Sequence, residues 1–339
     1  MTYTDNLLLT GAGFTANFGG FLGKEMWSKI FNNPKLNEIP KVKAELKKSF
    51  DFEDIYSRIF ENRPSFEEKE IKIFEDVVNE VYLAMDRAIR NSTTGEHFGF
   101  HPSDLRKFLE FFSQTRSSVS AACFTLNQDL FLERFMNWQP LVPVSMRFNQ
   151  SGNGIIDTTD LDSRSLKTLP TLGELDDVKG RLTSEFVYIK LHGSQKWVSS
   201  DSSDTKVIGI NKKESIDKIP LLKWYFELFQ DALFRPNVKL VSIGYSFRDE
   251  HINEIRVKAI LDHGLKIYII STEDPSSFQF RLTNKYPSGS VVNDADEKHR
   301  PIWDAVDGYF PYKLNSVFPY DQTQTPEKAE IFGALGISP

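Results

Sequence analysis

Four short polar segments of the chain contain residue types that could bind a ligand and act on it. Glycines let backbone N–H groups approach a phosphate, and an asparagine amide can position a polar ligand. A histidine with its ordinary pKa of about 6.5 can exchange a proton at neutral pH. The segments are "GAGFT" at residues 11–15, "TLNQD" at 125–129, "LHGS" at 191–194 and "GYSFRDEHIN" at 244–253.

Each segment also has a purely structural explanation when it is taken alone. Asn127 and Asp129 could form an Asx turn, and His192 could be a buried histidine with satisfied hydrogen bonds. Gly244 and Ser246 could form a turn and a helix cap. A functional interpretation therefore depends on all four segments meeting in one place.

The first segment lies within "LLLTGAGFTANFGG", residues 7–20. A short apolar run ends at Thr10 and is followed by Gly11 and Gly13, which predicts a strand that enters a phosphate-binding turn before a helix. The usual dinucleotide fingerprint has its third glycine three residues after the second. Here Gly19 follows Gly13 by six residues, so a tight turn without a ligand is the alternative.

The positions of these segments along the chain predict where they lie in the fold. Apolar, β-prone runs alternate with helical patterns, which predicts an α/β protein with a parallel sheet. In such a sheet the carboxyl ends of the strands share one edge, where ligands bind. Each polar segment directly follows a predicted strand, so we expect the four to converge there. The predicted strands cover residues 6–10, 118–125, 185–191, 238–243 and 266–271.

The long connection between the first two strands predicts a helical insertion at about residues 32–115. Six apolar residues within it recur at helical spacing and predict a buried helix face: Ile71, Phe74, Val77, Val78, Val81 and Met85. Prolines spaced from Pro301 to Pro326 predict an irregular C-terminal segment that packs on the domain. We therefore divide the chain into one domain at residues 1–275 and a segment at 276–339.

The composition excludes several classes of protein. A chain of 339 residues, 40% of them hydrophobic, can bury a large core. Its net charge of −6 argues against a broad nucleic-acid-binding surface. Cys123 is the only cysteine, which excludes internal disulfides and a cysteine-rich zinc site. The chain has neither a long apolar run nor a basic leader, so we expect a cytoplasmic protein without membrane contact.

In this order and at strand ends, the four segments resemble the NAD-binding motifs of the sirtuin family. Sirtuins use a GAG-x-[ST] turn, a T-x-N-x-D segment, an isolated His-Gly and a G-x-S turn after a late strand. The resemblance covers residues 6 to about 272. It implies a six-stranded, Rossmann-like NAD-binding fold with a helical insertion.

The chain departs from the sirtuin deacylases at two places. It lacks their two Cys-x-x-Cys pairs, and the 15 residues at 195–209 are too few to hold that zinc module. At residues 19–24 it has "GGFLGK" where sirtuins have G-I-P-D-F-R. With these differences it looks like the bacterial sirtuin-like domains of anti-phage defence systems that hydrolyse NAD.

This second resemblance implies a function and its partners. The chain would be an NAD glycohydrolase that cleaves NAD to nicotinamide and ADP-ribose and depletes NAD in an abortive antiviral response. NAD would be its substrate, and the chain would need no metal. It would form a homo-oligomer, and a HerA-type ATPase would be a candidate partner protein. Two other functions stay open: a non-catalytic sensor of NAD or of an ADP-ribose derivative that regulates a partner complex, and an NAD-dependent protein deacylase.

The resemblance also implies roles for single residues. Asn127 would hold the ribose and the attacking water, Asp129 would bond to the nicotinamide carboxamide, and His192 would accept a proton. Asp249 is well explained by helix capping, and His251 is a weaker catalytic candidate. The expected cofactor-binding residues are Gly11, Ala12, Gly13, Phe14, Thr15, Asp129, Gly244, Ser246, Asp249 and Ser271.

Overall fold

The protein is an α/β structure with a six-stranded, all-parallel sheet flanked by helices, which confirms the predicted fold class. The computed structural model describes residues 3–94, 101–114, 120–136, 167–179, 186–198, 207–209, 212–283 and 298–337. Parts of the predicted segments lie outside these ranges: residues 95–100 and 115 of the insertion, 118–119 and 185 of two strands, 199–206 of the connection after "LHGS", and 284–297 with 338–339 of the C-terminal segment.

Five strands of the main sheet coincide with the five predicted runs, and a sixth lies near the C-terminus. A separate pair of two-residue strands, β3 (Lys167–Thr168) and β5 (Trp197–Val198), lies outside the main sheet. The main strands are β1 (Asn6–Thr10), β2 (Ala122–Thr125), β4 (Val187–Lys190), β6 (Lys239–Ile243), β7 (Lys266–Ile270) and β8 (Val306–Phe310).

The order of the strands is β4-β2-β1-β6-β7-β8. The chain therefore runs outward from β1 in one direction, returns to the middle and then runs outward in the other direction. This order is typical of dinucleotide-binding folds, in which the ligand lies at the carboxyl ends of the two strands where the direction reverses. Here those strands are β1 and β6, and Thr10 at the end of β1 is in register with Ile243 at the end of β6.

Both faces of the sheet are covered, which explains why its strands are nearly continuous apolar runs rather than alternating ones. Leu8 and Val241 face one buried cluster, which includes the apolar face of the insertion. Leu7 and Leu240 face the other cluster, together with the helices that follow β5 and β6.

The helical insertion between β1 and β2 is present, as predicted, and its six apolar positions from Ile71 to Met85 are all buried. Its first helices begin before residue 32. The helices up to β2 are α1 (Ala12–Ala16), α2 (Gly23–Phe31), α3 (Pro40–Leu46), α4 (Phe52–Glu61), α5 (Glu68–Thr94) and α6 (Pro102–Phe111), with 3-10 turns at Pro34–Asn37 and Arg63–Ser65.

The remaining described helices connect the later strands and cover the C-terminal part. In the part of the chain that the structure describes, no helix is both long and apolar enough to cross a membrane. These helices are α7 (Phe131–Met136), α8 (Leu172–Lys179), α9 (Lys212–Asp217), α10 (Pro220–Leu233), α11 (Glu250–His263), α12 (Pro275–Thr283), α13 (Arg300–Asp304), α14 (Leu314–Val317) and α15 (Pro326–Leu335).

The prediction that residues 276–339 are irregular is wrong, because β8 and several helices lie there. β8 is an edge strand, "VDGYF", and only its last residue is fully buried, so it lacks the apolar pattern of a central strand. Pro301 and Pro326 occupy the first turns of α13 and α15, where a proline's missing N–H costs nothing. The segment does pack on the domain, as expected, since β8 pairs with β7.

The second glycine pair of the opening segment has a packing role. Gly19 has a positive φ of 86°, and a Cβ there would lie 2.9 Å from the backbone carbonyl of Ala88 on α5. The nearby Phe18 carbonyl accepts a hydrogen bond from Ser92, also on α5. Gly19 therefore lets the chain pass close to the insertion and does not complete a dinucleotide fingerprint.

The turns that follow β1 and β6 contact each other through their backbones. The N–H of Gly11 donates to the Ile243 carbonyl at 3.0 Å, and the N–H of Gly13 donates to the Gly244 carbonyl at 2.8 Å. Gly244 has a φ of 59°, and a Cβ on it would overlap the backbone of Gly13 and Phe14. Only glycine meets both requirements at this position.

We expect Gly244→Ala to destabilise the fold more than Gly264→Ala does. Gly264 also has a positive φ, 72°, but a Cβ there would meet open space. The control should cost about 1–2 kcal/mol for the left-handed backbone. The overlap at Gly244 should raise the loss to about 2–5 kcal/mol. Urea unfolding followed by circular dichroism measures both losses, and equal values would contradict the proposed close contact.

Candidate functional site

The four polar segments all lie at the carboxyl edge of the sheet, as expected from their positions after β1, β2, β4 and β6. The ends of β1 and β2 are joined by a hydrogen bond of 2.8 Å from the Thr10 hydroxyl to the Thr125 hydroxyl. Residues 11–15 are called the glycine turn. The side chains around it form two groups. The asparagine group is Asn127 and Asp129, and the histidine group is His192, His251, Asp249 and Lys212.

Asn127 fastens the segment after β2 to the glycine turn. Its Nδ2 donates to the Gly11 carbonyl at 3.0 Å and to the Thr15 hydroxyl at 3.3 Å. Its backbone N–H donates to Thr125 Oγ1 at 3.0 Å. The side chain is therefore not engaged in a local Asx turn. Its Oδ1 makes no hydrogen bond with any residue that the structure describes, so one fixed acceptor is left for a ligand.

Asp129 does form the Asx turn that was the structural alternative for this segment. Its Oδ1 accepts a hydrogen bond of 2.9 Å from the Phe131 N–H at the start of α7. Burial raises the pKa of Asp129, while the nearby Lys190 ammonium and the Thr15 hydroxyl oppose that rise. The expected contact with a nicotinamide carboxamide stays a prediction.

A buried ion pair between Lys190 and Glu133 stabilises the segment at residues 125–129. Lys190 Nζ lies 2.9 Å from Glu133 and also donates to the Asp129 carbonyl at 2.5 Å. The Tyr188 hydroxyl donates to Glu133 Oε2 at 3.1 Å. Removing one partner would leave a buried charge uncompensated, which typically costs about 3–5 kcal/mol. The network was not predicted, although a lysine and a glutamate inside the apolar runs "VYIK" and "FLERFM" are a signal for it.

His192 lies in the histidine group and is 3% exposed. Its Nε2 is 3.0 Å from Nε2 of His251, and its ring also hydrogen bonds to the Leu126 backbone. Gln128 ties the two segments together, since its Nε2 donates to the Val207 carbonyl and the Val207 N–H donates to the His192 carbonyl. Asn127 and His192, the two predicted catalytic residues, thus lie on adjoining segments. The His192 ring bonds to Leu126, the residue before Asn127.

Asp249 is the N-cap residue of α11, but its side chain makes no capping hydrogen bond. It instead accepts a hydrogen bond of 2.6 Å from Lys212, whose ammonium lies 2.8 Å from Glu53 on α4. Capping through the carboxylate is therefore not its role. Sequence reasoning missed Lys212, Glu53 and the pairing of His251 with His192, because no local pattern joins residues so far apart in the chain.

The charges around the histidines follow from burial and from these contacts. Burial, helped by the Lys212 ammonium, lowers the pKa of His192 well below its ordinary value, against the pull of Asp249. Burial likewise lowers the pKa of His251 to about 4. Burial acts to raise the pKa of Asp249, but Lys212 outweighs it and holds that pKa below the ordinary value. Both imidazoles are therefore neutral and Asp249 is ionised at neutral pH.

The other expected cofactor-binding residues differ in whether their backbone N–H groups are available to a ligand. The N–H groups of Gly11 and Gly13 are already bonded to backbone carbonyls, and Phe14 donates its N–H to the Gly11 carbonyl. The Phe14 ring lies in the aromatic core, 5.4 Å from Phe131. The N–H of Ala12, at the first position of α1, has no intrahelical acceptor and is the one in this turn left to face a phosphate.

The two predicted serines lie on the other side of the β1–β6 crevice. Ser246 is exposed, and its carbonyl accepts a hydrogen bond from Arg281. The Ser271 hydroxyl accepts a hydrogen bond of 3.2 Å from the Glu273 N–H, just after β7. Arg281 and Glu273 form an ion pair of 2.6 Å. Polar groups therefore line this side as well, although sequence reasoning did not single out that pair.

No protein-family model matches the chain, and no curated protein matches it with a significant score.

We expect the purified protein to contain no stoichiometric zinc. Among the described residues, His192, Asp249 and His251 offer ligand atoms that all lie within 4.8 Å of one another. The Lys212 ammonium, however, already lies 2.6 Å from Asp249 Oδ1 and would repel a divalent cation. Elemental analysis by mass spectrometry tests this. One zinc ion per chain that is lost in His251→Ala would contradict it.

We expect the free energy of unfolding to decrease as the pH falls from about 6.5 to about 4. In this window the unfolded histidines bind protons while buried His192 and His251, with lowered pKa values, do not. Each can contribute a slope of up to about 1.4 kcal/mol per pH unit. Urea unfolding at several pH values measures the slope. His251→Asn should reduce it, and an unchanged slope would count against neutral, buried imidazoles.

Proposed function

We propose that the protein is an NAD glycohydrolase that releases nicotinamide and ADP-ribose. The observation that carries the proposal is the fixed amide of Asn127, which is held to the glycine turn through Nδ2 and leaves Oδ1 as an acceptor. Next to it lies a neutral histidine pair, which supplies a base. The strand order supports a dinucleotide at the crevice between β1 and β6.

These groups suit cleavage of the bond between nicotinamide and ribose. The leaving group is neutral, and positive charge develops on the ribose ring, so the protein has mainly to position the reactants and supply dipoles. Asn127 Oδ1 would accept a hydrogen bond from the ribose or from the attacking water. The pair of His192 and His251 would take the proton that the water loses. The Ala12 N–H and the N-terminal end of α1 would face the pyrophosphate.

The cellular part of the proposal is supported by the resemblance of the motifs. In it, a cytoplasmic, self-assembled NAD glycohydrolase depletes NAD during anti-phage defence, with or without a HerA-type ATPase that controls it. A chain that consumes an essential cofactor needs such control. Binding of NAD or of an ADP-ribose derivative without cleavage is the sensor alternative, which the same experiment detects.

We expect Asn127→Ala and His192→Ala each to lower NAD cleavage by about 100-fold or more, because Asn127 would contact the reacting ribose and His192 belongs to the histidine pair that would take the proton. The double variant should lose little more than either single variant, since residues that act as a unit are not additive. Lost polar contacts should cost about 1–3 kcal/mol of stability, so both variants should stay folded. Chromatography of nicotinamide and ADP-ribose, with and without an ATPase partner, gives the rates.

Asn32→Ala is the matched control, because Asn32 is an exposed C-cap residue of α2 far from the sheet edge in the chain. It should cleave NAD at the parental rate. A folded Asn127→Ala variant with the parental rate would contradict the proposed site. A parent protein that binds NAD in calorimetry but never releases nicotinamide would instead support the sensor.

A further inference from the structure

The contact between the two histidines determines which nitrogen carries a proton. Two imidazole nitrogens 3.0 Å apart need one proton between them, because two lone pairs would repel and two N–H groups would clash. Nε2 of His192 faces His251, so the bond from its ring to the Leu126 backbone comes from Nδ1. The Leu126 N–H already donates to the Thr10 carbonyl at 3.0 Å, so the group of Leu126 that bonds to the ring is its carbonyl, and the Nδ1 atom that faces it carries the proton. His192 Nε2 is therefore the acceptor, and His251 Nε2 is the donor.

This arrangement leaves one lone pair of the histidine pair open. Both nitrogens of His192 are engaged, and the residue is almost completely buried. Nδ1 of His251 has no hydrogen-bond partner among the described residues, and His251 is partly exposed. The Phe226 ring lies 5.3 Å from the His251 ring and limits its movement. The accessible basic atom of the pair is thus Nδ1 of His251.

We propose that His251 is a catalytic residue whose Nδ1 takes the proton of the attacking water, while His192 orients His251 through the Nε2–Nε2 hydrogen bond. This inference rests on the proposed NAD glycohydrolase function. It assigns to His251 the proton transfer that the motif resemblance assigns to His192, and it makes His192 a positioning residue.

The step balances without any other reactant. The water oxygen forms a bond to C1′ of the ribose while the bond from C1′ to the nicotinamide nitrogen breaks, and that electron pair leaves with neutral nicotinamide. One water proton moves to His251 Nδ1 and later passes to solvent. Asp249 and Glu254 stabilise the imidazolium, whereas Lys212 and Lys213 oppose it.

The first experiment measures the tautomers and does not depend on activity. Protein labelled with ¹⁵N-histidine is observed by long-range ¹H–¹⁵N correlation NMR at neutral pH, and His192→Gln and His251→Gln assign the signals. We expect His192 to carry its proton on Nδ1 and His251 on Nε2. The opposite tautomer at either residue would overturn the inference, even if the protein cleaves NAD.

The second experiment separates His251 from its neighbour by chemical rescue. We expect His251→Ala to lower kcat for nicotinamide release by about 100-fold with little change in KM. Added imidazole should restore part of that rate, because the missing ring was partly exposed. It should not restore His192→Ala, whose ring position is closed to solvent.

His263→Ala is the matched control for this variant. His263 ends the same helix, where its ring stacks on Phe234 at 4.9 Å, and its loss should leave kcat at the parental value. A folded His251→Ala variant with the parental kcat would overturn the inference. If the parent protein itself releases no nicotinamide, the proposed function fails, and the NMR result still decides which nitrogen of the pair is open.

Discussion

The backbone contact between Gly13 and Gly244 is the constraint on which the arrangement of the site depends. The two turns approach so closely that neither can carry a side chain at the contact, and Gly244 also needs a positive φ. The contact aligns the carboxyl ends of β1 and β6, where the direction of the sheet reverses. The N–H of Gly13 donates to the Gly244 carbonyl in this contact and is therefore not available to a ligand. The main role of the glycines in the turn is to bring the two strands together.

Two groups of paired charges, each with a buried lysine, hold the surrounding segments against this contact. Lys190 and Glu133 support the segment that carries Asn127, while Lys212 links Asp249 to Glu53. Glu53 lies on α4 of the insertion, so the insertion supplies a charge to the histidine group in addition to covering one face of the sheet. Buried charges need such partners because desolvation would otherwise exceed their attraction. Each pairing therefore restricts where its loop can lie.

Residues of the same motif have different roles at this site. Asp129 is accounted for by its turn before α7, whereas Asn127 two residues earlier reaches across to the glycine turn. Phe14 packs in the core, while Ala12 next to Gly13 keeps a free N–H at a helix start. A motif read as one unit thus contains residues with different physical roles, and the hydrogen bonds of each residue separate them.

The elements with a local signal could be predicted from the amino-acid sequence. Apolar runs such as residues 6–10 predicted five strands of the sheet, the spacing from Ile71 to Met85 predicted a buried helix face, and the positions of the polar segments predicted their common edge. These features depend on periodicity and on the geometry of parallel strands, which a short stretch of chain already contains.

The contacts between distant residues could not be predicted from the sequence, because they depend on tertiary packing. The pairing of His192 with His251 and the placement of Lys212 between Asp249 and Glu53 result from how helices pack on the sheet edge, which no local pattern records. β8 was not predicted for a related reason. Only its last residue is fully buried, so its sequence has little apolar signal, and its place is set by its pairing with β7.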